Sequence, residues 1–109
     1  MHADLNVFRL AHAMAVHAGQ RQAVVSQNIA NADTPGYLAR DLPSFKEQFS
    51  APSPPSLRPV VDDMPIGPNG NSVSLELEIL KSVEAKRQHD RAIAIYKASL
   101  DVLRSSLGR

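Results

Sequence analysis

The sequence predicts an all-α protein in which two long terminal helices form a coiled-coil-like hairpin, joined by a proline-rich extended arm. Three observations carry this reading. Residues 5–32 repeat small and apolar side chains every seven positions, residues 75–107 repeat them in steps of three and four, and seven of the eight prolines fall in residues 43–68. A chain of 109 residues is the size of one domain. It divides into an N-terminal helix and turn motif (1–36), the arm (37–73) and a C-terminal helix (74–109), with the two terminal helices forming the structural domain.

In the first helix Ala11, Ala18, Val25 and Ala32 lie seven apart, as do Phe8, Ala15 and Ile29 in a second series that only Gln22 interrupts. Such a seam occupies one helix face and suits a partner helix better than a sheet. Its alanines, with Gly19 nearby, imply close backbone approach rather than a thick core.

The stretch T-P-G-Y at residues 34–37 stops this helix. Pro35 suits the first central position of a β-turn and Gly36 the second, where type II geometry requires positive φ. Proline also disfavours helical geometry at the residue before it, so the helix is expected to end near Ala32 or Asp33. Asn28, Asn31, Asp33 and Thr34 supply short polar side chains for the backbone groups freed there.

The arm is read from its prolines, densest at S-A-P-S-P-P-S, because proline removes an amide donor and fixes φ. One local exception is S-F-K-E-Q-F. Ser44 and Glu47 have capping-box spacing and Phe45 and Phe49 sit four apart, so a single helical turn carrying two aromatics is expected.

The second helix is capped by Ser74, with Glu76 and Glu78 complementing its positive end and Gly108 as its stop. Ile93, Tyr96, Leu100, Leu103 and Leu107 form its seam. Upstream the same register meets Ser82, Lys86 and His89, while the apolar set moves to Leu80 and Val83, which predicts a register shift or a change of partner near His89. At ~1.5 Å per residue the two helices are roughly 40 and 50 Å long. Two such rods share one stripe each, so the isolated monomer is expected to be marginal and to gain stability from assembly.

Several functions are disfavoured by composition. A formal charge of +1 with no basic block predicts no nucleic-acid footprint. The absence of cysteine removes disulfides and thiolate metal sites. The start M-H-A-D-L-N-V-F-R-L has an acid and no long apolar run, so neither a signal peptide nor a membrane-inserted helix is expected. His12 and His17 are five apart, off the i, i+4 face that zinc helices use, and read as solvated. His89-Asp90 alone is too little for a metal hydrolase, and no G-x-S-x-G, P-loop or G-x-G-x-x-G occurs. No enzyme activity, cofactor or metal is expected.

The stretch S-Q-N-I-A-N-A-D-T-P-G-Y-L-A-R-D resembles the signature of the flagellar rod and hook protein family, and N-G-N-S-V-S-L-E-L-E-I-L resembles that family's segment before its final helix. Ser74 stands where the family commonly has Asp, and Ser72 where it often has Asn. The resemblance implies a structural subunit of the bacterial flagellar basal-body rod, serving motility and crossing the periplasm. Its implied partners are other copies of itself, other rod subunits, the basal-body rings and the flagellar type III export apparatus, with export that involves no cleaved signal peptide. The family motif transfers to Asn28, Asn31, Thr34, Pro35, Gly36 and Tyr37, with the structural role of locking the helix end and presenting Tyr37 to a neighbour. Phe8, Ala11, Ala15, Ala18, Val25, Ile29, Ile93, Tyr96, Leu100, Leu103 and Leu107 are the expected seam and subunit contacts. An alternative is a helical-hairpin adaptor or export chaperone of a secretion system.

Overall fold

The computed structural model describes residues 2–50 and 57–108, and the side chains of residues 5–50 and 57–108. Helix α1 (His2–Ala30) and helix α3 (Leu75–Ser106) run antiparallel, Asn28 meeting Glu78 at one end and Phe8 meeting Tyr96 toward the other. Between them come strand β1 (Arg40–Asp41), the short helix α2 (Phe45–Ser50) and strand β2 (Val60–Val61). β1 and β2 pair antiparallel, Arg40 opposite Val61 and Asp41 opposite Val60.

The Cα frame measures 63 × 27 × 14 Å, a plate one helix thick. Among the described residues no second layer covers it, and the apolar core is correspondingly thin. Ala11 and Ala18 on α1 and Ala85 and Ala92 on α3 are buried, with Val24 and Val25 nearer the turn. Alanine at these points lets the two backbones approach, and each pair is spaced by seven residues, so the two seams stay in step along their length.

The caps follow local chemistry. The Ser74 hydroxyl accepts from the Leu77 amide at 3.4 Å, and the Ser44 hydroxyl accepts from the Glu47 amide at 3.1 Å. α3 closes at Leu107, followed by Gly108 at φ 73°. α1 ends at Ala30, and residues 31–33 turn out of the helix before Thr34.

Two expectations need correction. First, residues 37–50 and 57–73 are not an extended arm: they fold back along the hairpin, burying Ala39 and Leu42. Proline lacks a donor but keeps its carbonyl, and that of Pro43 accepts from His17 Nε2 at 2.8 Å and Gln48 Nε2 at 3.3 Å. The densest proline stretch, residues 51–56, lies outside the described residues.

Second, α3 makes no register shift at His89. One face runs through Glu78, Lys81, Ala85, Gln88 and Ala92, while Leu80 and Val83 point outward at 60% and 43% exposure. The interruptions in the two apolar patterns answer each other: Gln22 donates to the Ser82 carbonyl at 2.9 Å and accepts from its hydroxyl at 3.1 Å. The seam expected at the end of α3 as a helix and subunit contact is largely open in the single chain. Ile93, Tyr96 and Leu107 are exposed, and Leu100 and Leu103 are half-buried.

Candidate functional site

The turn at residues 34–37, exposed at its tip, sits over a buried polar lock. The Thr34 carbonyl accepts from the Tyr37 amide at 3.2 Å and Gly36 has φ 77°, so Pro35 and Gly36 occupy the central positions of a type II turn. A second turn docks on it. The Asn69 carbonyl accepts from the Gly36 amide at 3.0 Å, the Tyr37 carbonyl from the Ser72 amide at 3.0 Å, and Ser72 Oγ from the Ala39 amide at 2.8 Å. Asn71 Nδ2 donates to the carbonyls of Asn31 and Thr34, both at 2.8 Å. The N-G-N-S segment is thus stitched to the T-P-G-Y turn across more than thirty residues of sequence.

Below both turns sits Asn28, with no exposed surface. Its Nδ2 donates to the Arg40 carbonyl at 2.7 Å and Glu78 Oε2 at 3.0 Å. Its Oδ1 accepts from the Tyr37 hydroxyl at 3.0 Å and the Arg40 amide at 3.1 Å. All four hydrogen-bonding positions of the amide are filled, and one side chain joins α1, the turn, β1 and α3. Tyr37 spends its hydroxyl here, within its own chain.

The network continues through charge. Glu78, 1% exposed, receives Lys81 Nζ on Oε1 at 3.2 Å; Lys81 also meets Asp62 at 2.7 Å and Asp41 at 3.8 Å. Asp41 is held by Arg21 through both oxygens, at 3.1 and 3.2 Å, and Arg21 reaches Glu84 at 3.1 Å. Among the described residues every buried side-chain nitrogen and oxygen has a hydrogen-bond partner. That satisfaction is what makes so polar an interior tolerable.

Burial by itself lowers the pKa of the Lys81 ammonium. The hydrogen bonds to Asp62 and Glu78 and the charges of Glu78 and Asp41 outweigh it, and the group is held above its ordinary 10.5. Burial is the largest single effect on the Arg21 guanidinium and lowers its pKa, but the hydrogen bonds and charges of Asp41 and Glu84 together outweigh it, and the group is held above its ordinary value. A base whose pKa is raised by folding contributes stability that is complete below its unfolded value and lost as pH rises through the folded one. The urea midpoint is therefore expected to fall above about pH 10.5, and to fall less steeply in Lys81→Met; equal slopes from pH 9 to 11.5 in the two proteins count against this assignment.

A second clasp lies further along. His17, read from sequence as solvated, is 3% exposed. Its Nε2 faces the Pro43 carbonyl, its Nδ1 lies 3.0 Å from Gln88 Nε2, and its ring meets Phe45 edge-on at 5.7 Å. Gln88 Nε2 is a donor, so Nδ1 accepts and Nε2 carries the proton toward Pro43. Phe45 stacks on Phe49 at 5.7 Å, and Phe49 remains exposed. His12 is exposed, and exposed His89 lies 4.0 Å from Asp90. Among the described residues no group of three or more His, Asp or Glu is placed to hold a metal ion, and no helix is long and apolar enough to cross a membrane.

The structure brings Asn28, Asn31, Thr34, Gly36 and Tyr37 together, with Pro35 at the exposed tip of the turn. Of the seam residues Ala11, Ala18 and Val25 are buried, Phe8 and Ala15 half-buried, and Ile29 exposed. Sequence reasoning missed Glu78, Lys81, Asp41, Asp62 and Asn71. The available signal was the seven-residue spacing of Ala85 and Ala92, which matches that of Ala11 and Ala18 and fixes which face of α3 turns inward.

A family model described as "Flagella basal body rod protein" matches residues 17–37, the last part of α1 and the turn. The chain is 32% identical over 116 residues to the flagellar basal body rod protein FlgB of Agrobacterium fabrum (strain C58 / ATCC 33970), covering 86% of this chain and 87% of that protein. It is also 39% identical over 67 residues to FlgB of Yersinia ruckeri, covering 62% of this chain and 41% of that one.

Proposed function

The chain belongs to the FlgB family of flagellar basal-body rod proteins, and from that premise we propose that it builds the proximal part of the rod through its two terminal helices. It is a structural subunit of the flagellar basal-body rod, and the adaptor or chaperone alternative is not favoured. The three stretches 1–36, 37–73 and 74–109 act as one unit, with the polar lock holding the turn end rigid while the far end of the hairpin offers its half-exposed seam. Its partners are further copies, other rod subunits and the basal-body rings. It reaches the periplasmic rod through the type III export apparatus without signal cleavage, and it binds no nucleic acid and inserts in no membrane.

The single observation that carries this reading is that buried polar groups are satisfied within the chain while apolar side chains of α3, Ile93, Tyr96 and Leu107 among them, are left open for neighbours. The test is a deletion strain together with mass spectrometry of purified basal bodies. The strain is expected to be non-motile, with motility restored by the intact gene, and the chain to be present in the rod fraction; motile cells, or basal bodies lacking the chain, reject it. In solution, helicity measured by circular dichroism is expected to rise as the chain associates, and helicity that is already high and independent of concentration counts against ordering on assembly.

A further inference from the structure

A row of apolar side chains on the outer face of α3 is left open to solvent. Leu75, Ile79 and Leu80 are 51, 58 and 60% exposed, and Val83 lies in the same row. At 3.6 residues per turn these four fall within an arc of roughly 140°, opposite the arc that turns Glu78, Lys81, Ala85 and Ala92 toward α1. A contiguous apolar ridge of this kind marks a contact surface. Glu76 sits inside the same arc and is exposed, and Asp33 and Asp63 are exposed at the same end of the molecule.

The other end carries an apolar groove with a cation on its wall. Leu5, Phe8, Tyr96 and Leu100 line a groove of about 440 Å³ whose remaining walls are Arg9 and His12. A neighbouring hollow shares His12 and Tyr96 and runs on to Ala11, Ala92 and Ile93, which lengthens the groove along the hairpin. Lys97 and Arg104 are exposed nearby. Exposed Lys86 and Arg87 follow the ridge and exposed Asp101 adjoins the groove, so the charge match is local: Arg9 on the groove wall and Glu76 within the ridge.

The ridge and the α3 wall of the groove belong to one continuous helix, with their centres separated by roughly 28 Å at 1.5 Å per residue. A chain cannot bend α3 to place its own ridge in its own groove. We infer that the groove of one copy receives the α3 ridge of a second copy, with Leu75, Ile79 and Val83 as the i, i+4, i+8 anchors and Glu76 facing Arg9. Because the two patches differ, the contact is heterologous: each copy added leaves one ridge and one groove open, so growth continues unless the rotation between copies closes a ring. The inference rests on the rod-subunit reading and names the contact which that reading leaves open.

The absence of cysteine makes the test direct. Ile79→Cys and Leu100→Cys are prepared separately, both changes being at positions outside the buried network, and treated with a short bis-maleimide that tolerates several Å of misplacement. Mixing the two variants is expected to give a cross-linked dimer that neither gives alone, and the doubly substituted chain a ladder of higher species. Arg9→Glu is expected to weaken association roughly tenfold by sedimentation, with recovery on adding Glu76→Arg. Cross-linking of Ile79→Cys only to itself, no excess of product on mixing, or failure of the charge swap to restore association overturns the proposal. The wild-type chain's presence in purified basal bodies is scored separately, so loss of this contact model and loss of the rod reading give different results.

Discussion

Asn28→Ala is expected to destabilise the folded chain by about 3–5 kcal/mol, the largest effect of any single substitution considered. The amide makes four hydrogen bonds at a site with no exposed surface. Its removal strands one Glu78 oxygen, both backbone groups of Arg40 and the Tyr37 hydroxyl. Each buried group left without a partner costs about 1–3 kcal/mol, and partial relaxation brings the sum below four full penalties. Asn28→Asp keeps the shape but replaces two donors with carboxylate beside Glu78, so it is expected to be no milder near neutral pH. Urea unfolding at constant slope is the measurement, and a loss below about 1 kcal/mol would show that the hub is dispensable.

The second large effect is at the docked turns. Gly70 has φ 78°, and a Cβ placed there lies 3.2 Å from Gly36 Cα and 3.4 Å from Gly36 N. Gly36 has φ 77°, but a Cβ there meets nothing within 4 Å. Each alanine therefore costs about 1–2 kcal/mol for left-handed backbone. At Gly70 the methyl also presses on the facing turn, adding roughly 1–2 kcal/mol, so Gly70→Ala is expected to be clearly worse than Gly36→Ala. Equal losses in paired urea titrations would mean that the turns separate without cost. Gly36→Val, β-branched at positive φ, is expected to approach the Gly70→Ala loss through backbone strain alone.

These two sites explain how a plate 14 Å thick keeps a defined shape with few apolar residues inside. Its specificity lies in polar groups that are satisfied in one arrangement only, because buried donors and acceptors penalise any slip of register. A shift of α3 by one residue would carry Glu78 away from Asn28 and Lys81 away from Asp62. An alanine seam alone tolerates such slips. The polar network thereby fixes the turn end, while apolar side chains of α3 stay exposed at both ends of the hairpin.

Local rules made part of this legible in the sequence. The heptad of Ala11, Ala18 and Val25 identified the inward face of α1, Pro35 and Gly36 identified the turn, and Ser44, Ser74 and Gly108 marked helix boundaries, because each depends on residues within one or two turns of itself. The motif at residues 28–37 also carried the family. What only the tertiary structure decided is where the middle segment goes and which face of α3 is buried. The prolines argued for an extended arm because they forgo regular pairing, yet Ser72, Asn71 and Asp62 anchor that segment through side chains to partners 19 to 40 residues away. On α3 the most apolar stripe, Leu75, Ile79 and Leu80, faces outward and the charged stripe faces in. Glu78 and Lys81 are stable inside only because Asn28, Asp41 and Asp62 converge on them, a coincidence in space that no local pattern encodes.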